Sequence, residues 1–60
     1  MNKEQFTRAA LDDVTHVLQV LGYVAASGPT AKPTVAQLND IVRRLDNAKK
    51  FLKLALPGKD

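Results

Sequence analysis

The sequence predicts an all-α protein, a two-helix antiparallel hairpin that dimerises into a four-helix bundle. Three observations predict this fold class. Apolar residues recur at steps of three and four along two arms of nearly equal length, as they do on one side of a helix. A cluster of turn-forming residues, 27–33, separates the two arms. Each arm also opens on a residue that caps helices well, with Gln three residues later.

The first arm is predicted to be a helix over about residues 3–27. Asn2 is a favourable cap, and the Gln5 side chain can return a hydrogen bond to the cap backbone. Gly28 can take the left-handed conformation that ends helices, and Pro29 cannot continue the backbone ladder. The apolar positions at helical spacing are Phe6, Ala10, Val14, Val17, Leu21 and Val24.

The second arm is predicted to be a helix over about residues 34–56. Thr34 and Gln37 form a capping box, and Pro57 sets the latest possible end. Its apolar positions again follow helical spacing, with three leucines at steps of seven. They are Val35, Leu38, Ile41, Val42, Leu45, Ala48, Leu52 and Ala55.

The two arms predict one helical-hairpin domain over residues 1–60, with a loop of about 28–33 and a short polar tail, 57–60. A chain of this size buries too little surface for a robust fold, and without Cys it has no disulfides. Both apolar stripes are wider than a strict coiled-coil seam, so a second copy is expected to cover the remaining flank. The predicted dimer core is Val14, Leu18, Leu21, Leu38, Ile41, Leu45 and Leu52.

The residue inventory argues against an enzyme and against a bound cofactor or metal. One His, one Ser and no Cys supply no nucleophile–base pair or metal-ligand set. The adjacent Asp12 and Asp13 diverge by about 100° on a helix and cannot share a proton or metal. No secretory signal or apolar run of membrane-spanning length is present, so we expect a cytoplasmic protein without a membrane partner.

Two surfaces are predicted to bind a partner protein. On the first helix, Asp12, His16, Gln19 and Tyr23 form a column opposite the apolar stripe. The column is either a solvated face with a weak Asp12–His16 pair or a recognition surface with Tyr23, beside Val20, as its anchor. On the second helix, cations surround exposed apolar residues, a mixture that indicates either packing of the helix flank or an interface with an acidic or mixed partner. The predicted partner-binding residues are Val20, Tyr23, Arg43, Arg44, Asn47, Lys50, Phe51, Lys53 and Leu54.

Nucleic-acid binding remains an alternative function. The formal charge is +3, and the cations of the second helix could neutralise phosphates as an RNA-binding hairpin dimer or a DNA-binding protein would. A helix-turn-helix is disfavoured because long helices flank about seven loop residues. Gly22 in the first helix indicates either a close helix contact or a hinge or partner contact, since Gly weakens a helix interior.

The plan of the chain from Asn2 to Leu56 resembles the small helical proteins that bacteriophages and other mobile elements use to bind and disable host proteins. Some of these are anti-activators that dock on transcription regulators. The resemblance lies in size, in the capped helix–turn–helix plan and in the lack of a catalytic set, without a diagnostic motif. It implies a dimeric helical hairpin that binds and inhibits or modulates a host protein.

Overall fold

The structure is a computed structural model that describes residues 2–56. The described residues form two helices, α1 (Lys3–Ala26) and α2 (Val35–Ala55), which confirms the predicted all-α class. The helices run antiparallel along each other in a hairpin 44 × 17 × 16 Å in extent. The predicted polar tail, 57–60, lies outside the described residues.

Both predicted capping boxes are confirmed. At the start of α1, the Gln5 amide donates to the Asn2 side chain (2.9 Å) and the Asn2 amide donates to the Gln5 side chain (3.2 Å). At the start of α2, the same pair of bonds joins Thr34 and Gln37 at 3.0 and 2.8 Å. Each box satisfies backbone donors that the first helical turn leaves without partners, so both helix starts are set locally by the sequence.

The loop begins one residue earlier than predicted. Ser27 caps α1, and its backbone amide still donates to carbonyls of the last turn. Gly28 then adopts φ 135°, a conformation that L side chains rarely take, as its position after the helix predicted. At the other end of the loop Thr34 is the cap of α2 and not its first helical residue.

A narrow row of mostly small side chains packs between the helices. Its buried apolar members are Ala10, Val17, Val24, Ile41 and Ala48. Near the chain ends the rings of Phe6 and Phe51 stack with their centroids 6.3 Å apart. No apolar side chain of the described residues is fully buried, so the hairpin has a small core for its length.

Gly22 does not allow a close approach between α1 and α2. Gly22 is exposed, and a Cβ added to it would meet no atom within 4 Å. The interpretation of Gly22 as a close contact within the hairpin is therefore wrong. The glycine lowers helix propensity near the C-terminal end of α1 without gaining packing between the two helices.

We expect Gly22→Ala to stabilise the protein by about 1 kcal/mol, because Ala has the higher helix propensity and its methyl group has space. Urea denaturation followed by circular dichroism measures the change. Gly28→Ala is the matched control: it should lower the stability because its φ of 135° strains any L residue. A loss of stability in Gly22→Ala would show that another molecule packs against this position.

Candidate interaction surface

Most large apolar side chains of the hairpin lie outside the row between the helices and form one exposed surface. Leu18 is 63% exposed and Leu45 is 45% exposed. Leu11 and Val14 of α1 line one groove together with Leu52 of α2, so both helices contribute to the same side of the hairpin. We call this surface the leucine face and assign to it Leu11, Val14, Leu18, Leu21, Leu38, Val42, Leu45 and Leu52.

The residues predicted as a dimer core lie on the leucine face with one exception. Ile41 is 8% exposed and already lies in the row between the helices. Val14 is half-buried at the border between that row and the leucine face. The wide apolar stripe expected on each helix is therefore divided into one side that faces the other helix and one side that faces outward.

The hairpin exposes a large surface for its mass. Its solvent-accessible area is 4738 Å². A compact protein of 6.5 kDa exposes roughly 3,800 Å². The difference, about 900 Å², is close to the ~800 Å² that each partner buries in a protein–protein interface of standard size. The hairpin exposes this additional area because it is elongated and has apolar residues on one broad side.

Charged side chains cross between the helices on the side opposite the leucine face. Arg44 donates to Asp13, a carboxylate only 7% exposed, at 3.2 Å. His16 Nε2 donates to Asp40 at 2.6 Å, and Asp40 also lies 3.8 Å from Arg44 and 3.6 Å from Arg43. We call Asp13, His16, Asp40, Arg43 and Arg44 the charge network.

The charge network corrects the sequence prediction for His16. The predicted Asp12–His16 pair on a fully exposed column is wrong, because His16 turns towards α2 and binds Asp40. The sequence does contain a signal for the cross-helix pair. Asp13 falls between Ala10 and Val17 in the spacing of the buried stripe, and Arg44 falls in the same way between Ile41 and Ala48.

Asp40 is the titratable group that the charge network perturbs. The hydrogen bond from His16, with the nearby positive charges of Arg44 and Arg43, holds the pKa of Asp40 below its ordinary value of 3.8, although partial desolvation opposes the shift. The carboxylate is thus favoured in the folded hairpin more than in the unfolded chain.

We expect acid to weaken the hairpin through Asp40. Because its pKa is lower in the folded state, the stability that Asp40 contributes is complete above its ordinary pKa of 3.8 and is lost as the pH falls through the folded value. Urea denaturation at several pH values between about 3 and 6 measures this slope. In Asp40→Asn the slope should be shallower; an unchanged slope would contradict the assignment.

The predicted partner-binding residues do not form one patch. Tyr23 (71% exposed) lies near the loop end of the hairpin, and Leu54 (59% exposed) lies near the chain ends. Helical spacing places both away from the leucine face, Tyr23 seven residues after His16 and Leu54 four after Lys50. A single small pocket on a partner therefore does not accommodate both anchors.

The other predicted partner-binding residues divide between the surface and the interior of the hairpin. Asn47, Lys50 and Lys53 are exposed, and Val20 is half-buried. Phe51 stacks on Phe6 between the helices. Arg44, as described, belongs to the charge network and bonds within the chain. Phe51 and Arg44 thus have structural roles within the hairpin.

Many cations of α2 have carboxylate partners on the chain itself. Lys50 pairs with Asp46 at 3.1 Å, and Arg43 and Arg44 pair within the charge network. Each pair lowers the positive potential that a phosphate backbone would meet.

Neither helix of the described residues is long and apolar enough to cross a membrane. Comparison of the chain with protein-family models, curated proteins and solved structures finds no match.

Proposed function

We propose that the chain is a non-enzymatic protein-interaction module of the cytoplasm that forms a homodimer through the leucine face and binds and modulates a host protein, such as a transcription regulator. The observation that carries the proposal is the leucine face itself. Contiguous apolar surface of this extent on a small chain is typical of a protein–protein contact.

The occupant of the leucine face that we propose is a second copy of the chain. The row between the helices provides a small core, while the larger leucines stay outside it. Two hairpins packed face to face would cover these leucines in the centre of a four-helix bundle.

The opposite side of the hairpin is the proposed surface for the host protein. A dimer formed through the leucine face leaves Tyr23 and Leu54 of both subunits exposed. Both are large apolar anchors among polar residues, the composition that energetically important interface residues favour. Binding would block the host protein by occlusion, with Arg43 and Lys50 at the rim of the contact.

Light scattering and affinity capture test the two parts of this proposal. We expect twice the chain mass in solution, and a stoichiometric host protein that stays bound after nuclease treatment. Tyr23→Ala and Leu54→Ala should weaken capture while helicity and dimer mass stay unchanged, and Thr15→Ala, an exposed change away from both anchors, is the control. Capture of nucleic acid in place of protein, or capture insensitive to both anchor variants, would contradict the proposed binding surface.

A further inference from the structure

The leucine face has one polar end and one apolar end. Lys49 lies four residues after Leu45 and three before Leu52, so it shares their side of α2 and interrupts the apolar row. Its position is near the chain ends and away from the loop. The loop half of the face, in contrast, is formed by Leu18, Leu21, Leu38 and Val42.

Polar residues of α1 lie at the same height as Lys49. The Phe6–Phe51 stack and the Asp13–Arg44 bond fix the register of the two helices and place Lys49 level with the turn that contains Thr7. Thr7 and Leu52 line the same groove of the leucine face. Glu4, one turn from Thr7, borders the face, since it lines a concave surface with Thr7 and Leu11, which the cations Lys3 and Arg8 also line.

Two symmetric dimers can cover the leucine face, and they place Lys49 in different surroundings. With the two loops at the same end, the polar end of one subunit lies against the polar end of the other, and the apolar halves meet. With the loops at opposite ends, each Lys49 lies against the apolar half of its partner. Burial of an ammonium group against leucines without a polar partner is strongly unfavourable.

We propose that two copies of the chain pair through the leucine face with their loops at the same end, and that Lys49 of each subunit selects this arrangement by lying against Thr7 and Glu4 of the partner subunit. The inference rests on the dimer of the proposed function and adds its geometry. A single polar residue in an apolar seam fixes register and orientation in coiled coils at some cost in stability, and Lys49 has that position here.

The distance between the two loops distinguishes the arrangements. The chain contains no Cys, so Thr30→Cys in the loop attaches one spin label to each subunit. For loops at the same end, double electron–electron resonance should give a single distance below about 25 Å between the two labels, since neighbouring helices of a bundle lie about 8–10 Å apart. Loops at opposite ends would give roughly 40 Å, near the 44 Å length of the hairpin. Asn47→Cys, near the middle of α2 and on the side away from the leucine face, is the labelling control because its distance is similar in either arrangement.

The possible outcomes test the proposed orientation of the two subunits separately from the proposed dimer itself. A single short loop distance supports the same-end dimer. A long distance, or a mixture of short and long, overturns the proposed geometry while the dimer of the proposed function stands. A monomer mass by light scattering for the unlabelled protein overturns both.

Lys49→Leu tests the role of the lysine separately. Removal of the charge should lower the dissociation constant of the dimer about tenfold, because more apolar surface is buried. It should also add a population of long distances to the distribution measured with the Thr30→Cys label. Lys50→Leu, at the next position along α2 and about 100° away from Lys49 around the helix, should leave the distance distribution unchanged. A single short distance in Lys49→Leu would show that other residues select the orientation.

Discussion

Replacement of Leu45 by Asp is expected to turn the proposed dimer into monomers. Leu45 lies near the middle of the leucine face, and symmetry places the change in the interface twice. The lost burial of a leucine is about 2 kcal/mol per subunit, which corresponds to a dimer that dissociates about a thousandfold more readily. Sedimentation equilibrium over a range of protein concentrations measures the dissociation constant.

Leu54→Asp is the matched control for Leu45→Asp. Leu54 belongs to the same helix and is similarly exposed, at 59%, but it lies away from the leucine face. The same substitution there should leave the dissociation constant within about threefold of the parent protein. Equal effects of the two variants would show that the association does not depend on the leucine face.

Arg44→Ala is expected to destabilise the hairpin by about 2 kcal/mol. The substitution removes the hydrogen-bond partner of Asp13, and a carboxylate only 7% exposed is then left without compensation. The effect is smaller than for a fully buried pair because the Arg44 side chain is 41% exposed. Urea denaturation at one fixed protein concentration measures the loss.

The double variant Asp13→Ala, Arg44→Ala isolates the contribution of the pair. Removal of both charges should recover part of the stability that Arg44→Ala loses, because no uncompensated carboxylate remains. Arg8→Ala is the surface control: Arg8 and Glu4 are largely exposed and 3.8 Å apart, so the change should cost less than about 0.5 kcal/mol. Strict additivity of the two single changes would contradict a direct Asp13–Arg44 interaction.

The helices could be predicted from the sequence because their signals are local. Asn2 with Gln5 and Thr34 with Gln37 form cap bonds over three residues, and the conformation of Gly28 follows from its place after a helix. The apolar spacing also identified the leucine face, since a stripe wider than one helix contact leaves an uncovered side.

The charge network could not be predicted in the same way because it depends on the register between the helices. His16 has Asp12 four residues before it, and only the packing of α2 shows that Asp40, 24 residues away, is the partner. Gly22 illustrates the opposite case. Its spacing fits a close contact, but the rotation of α1 turns it towards solvent.

Because the single loop joins the helices at one end of the hairpin, contacts farther from the loop close longer segments of chain. The His16–Asp40 contact closes 24 residues of chain, Asp13–Arg44 closes 31, and the Phe6–Phe51 stack closes most of the sequence. The entropy cost of closure rises slowly with that length, by about 0.6 kcal/mol for each doubling. We therefore expect the helices to pair first near the loop, and amide hydrogen exchange to be faster beside Phe6 than around His16.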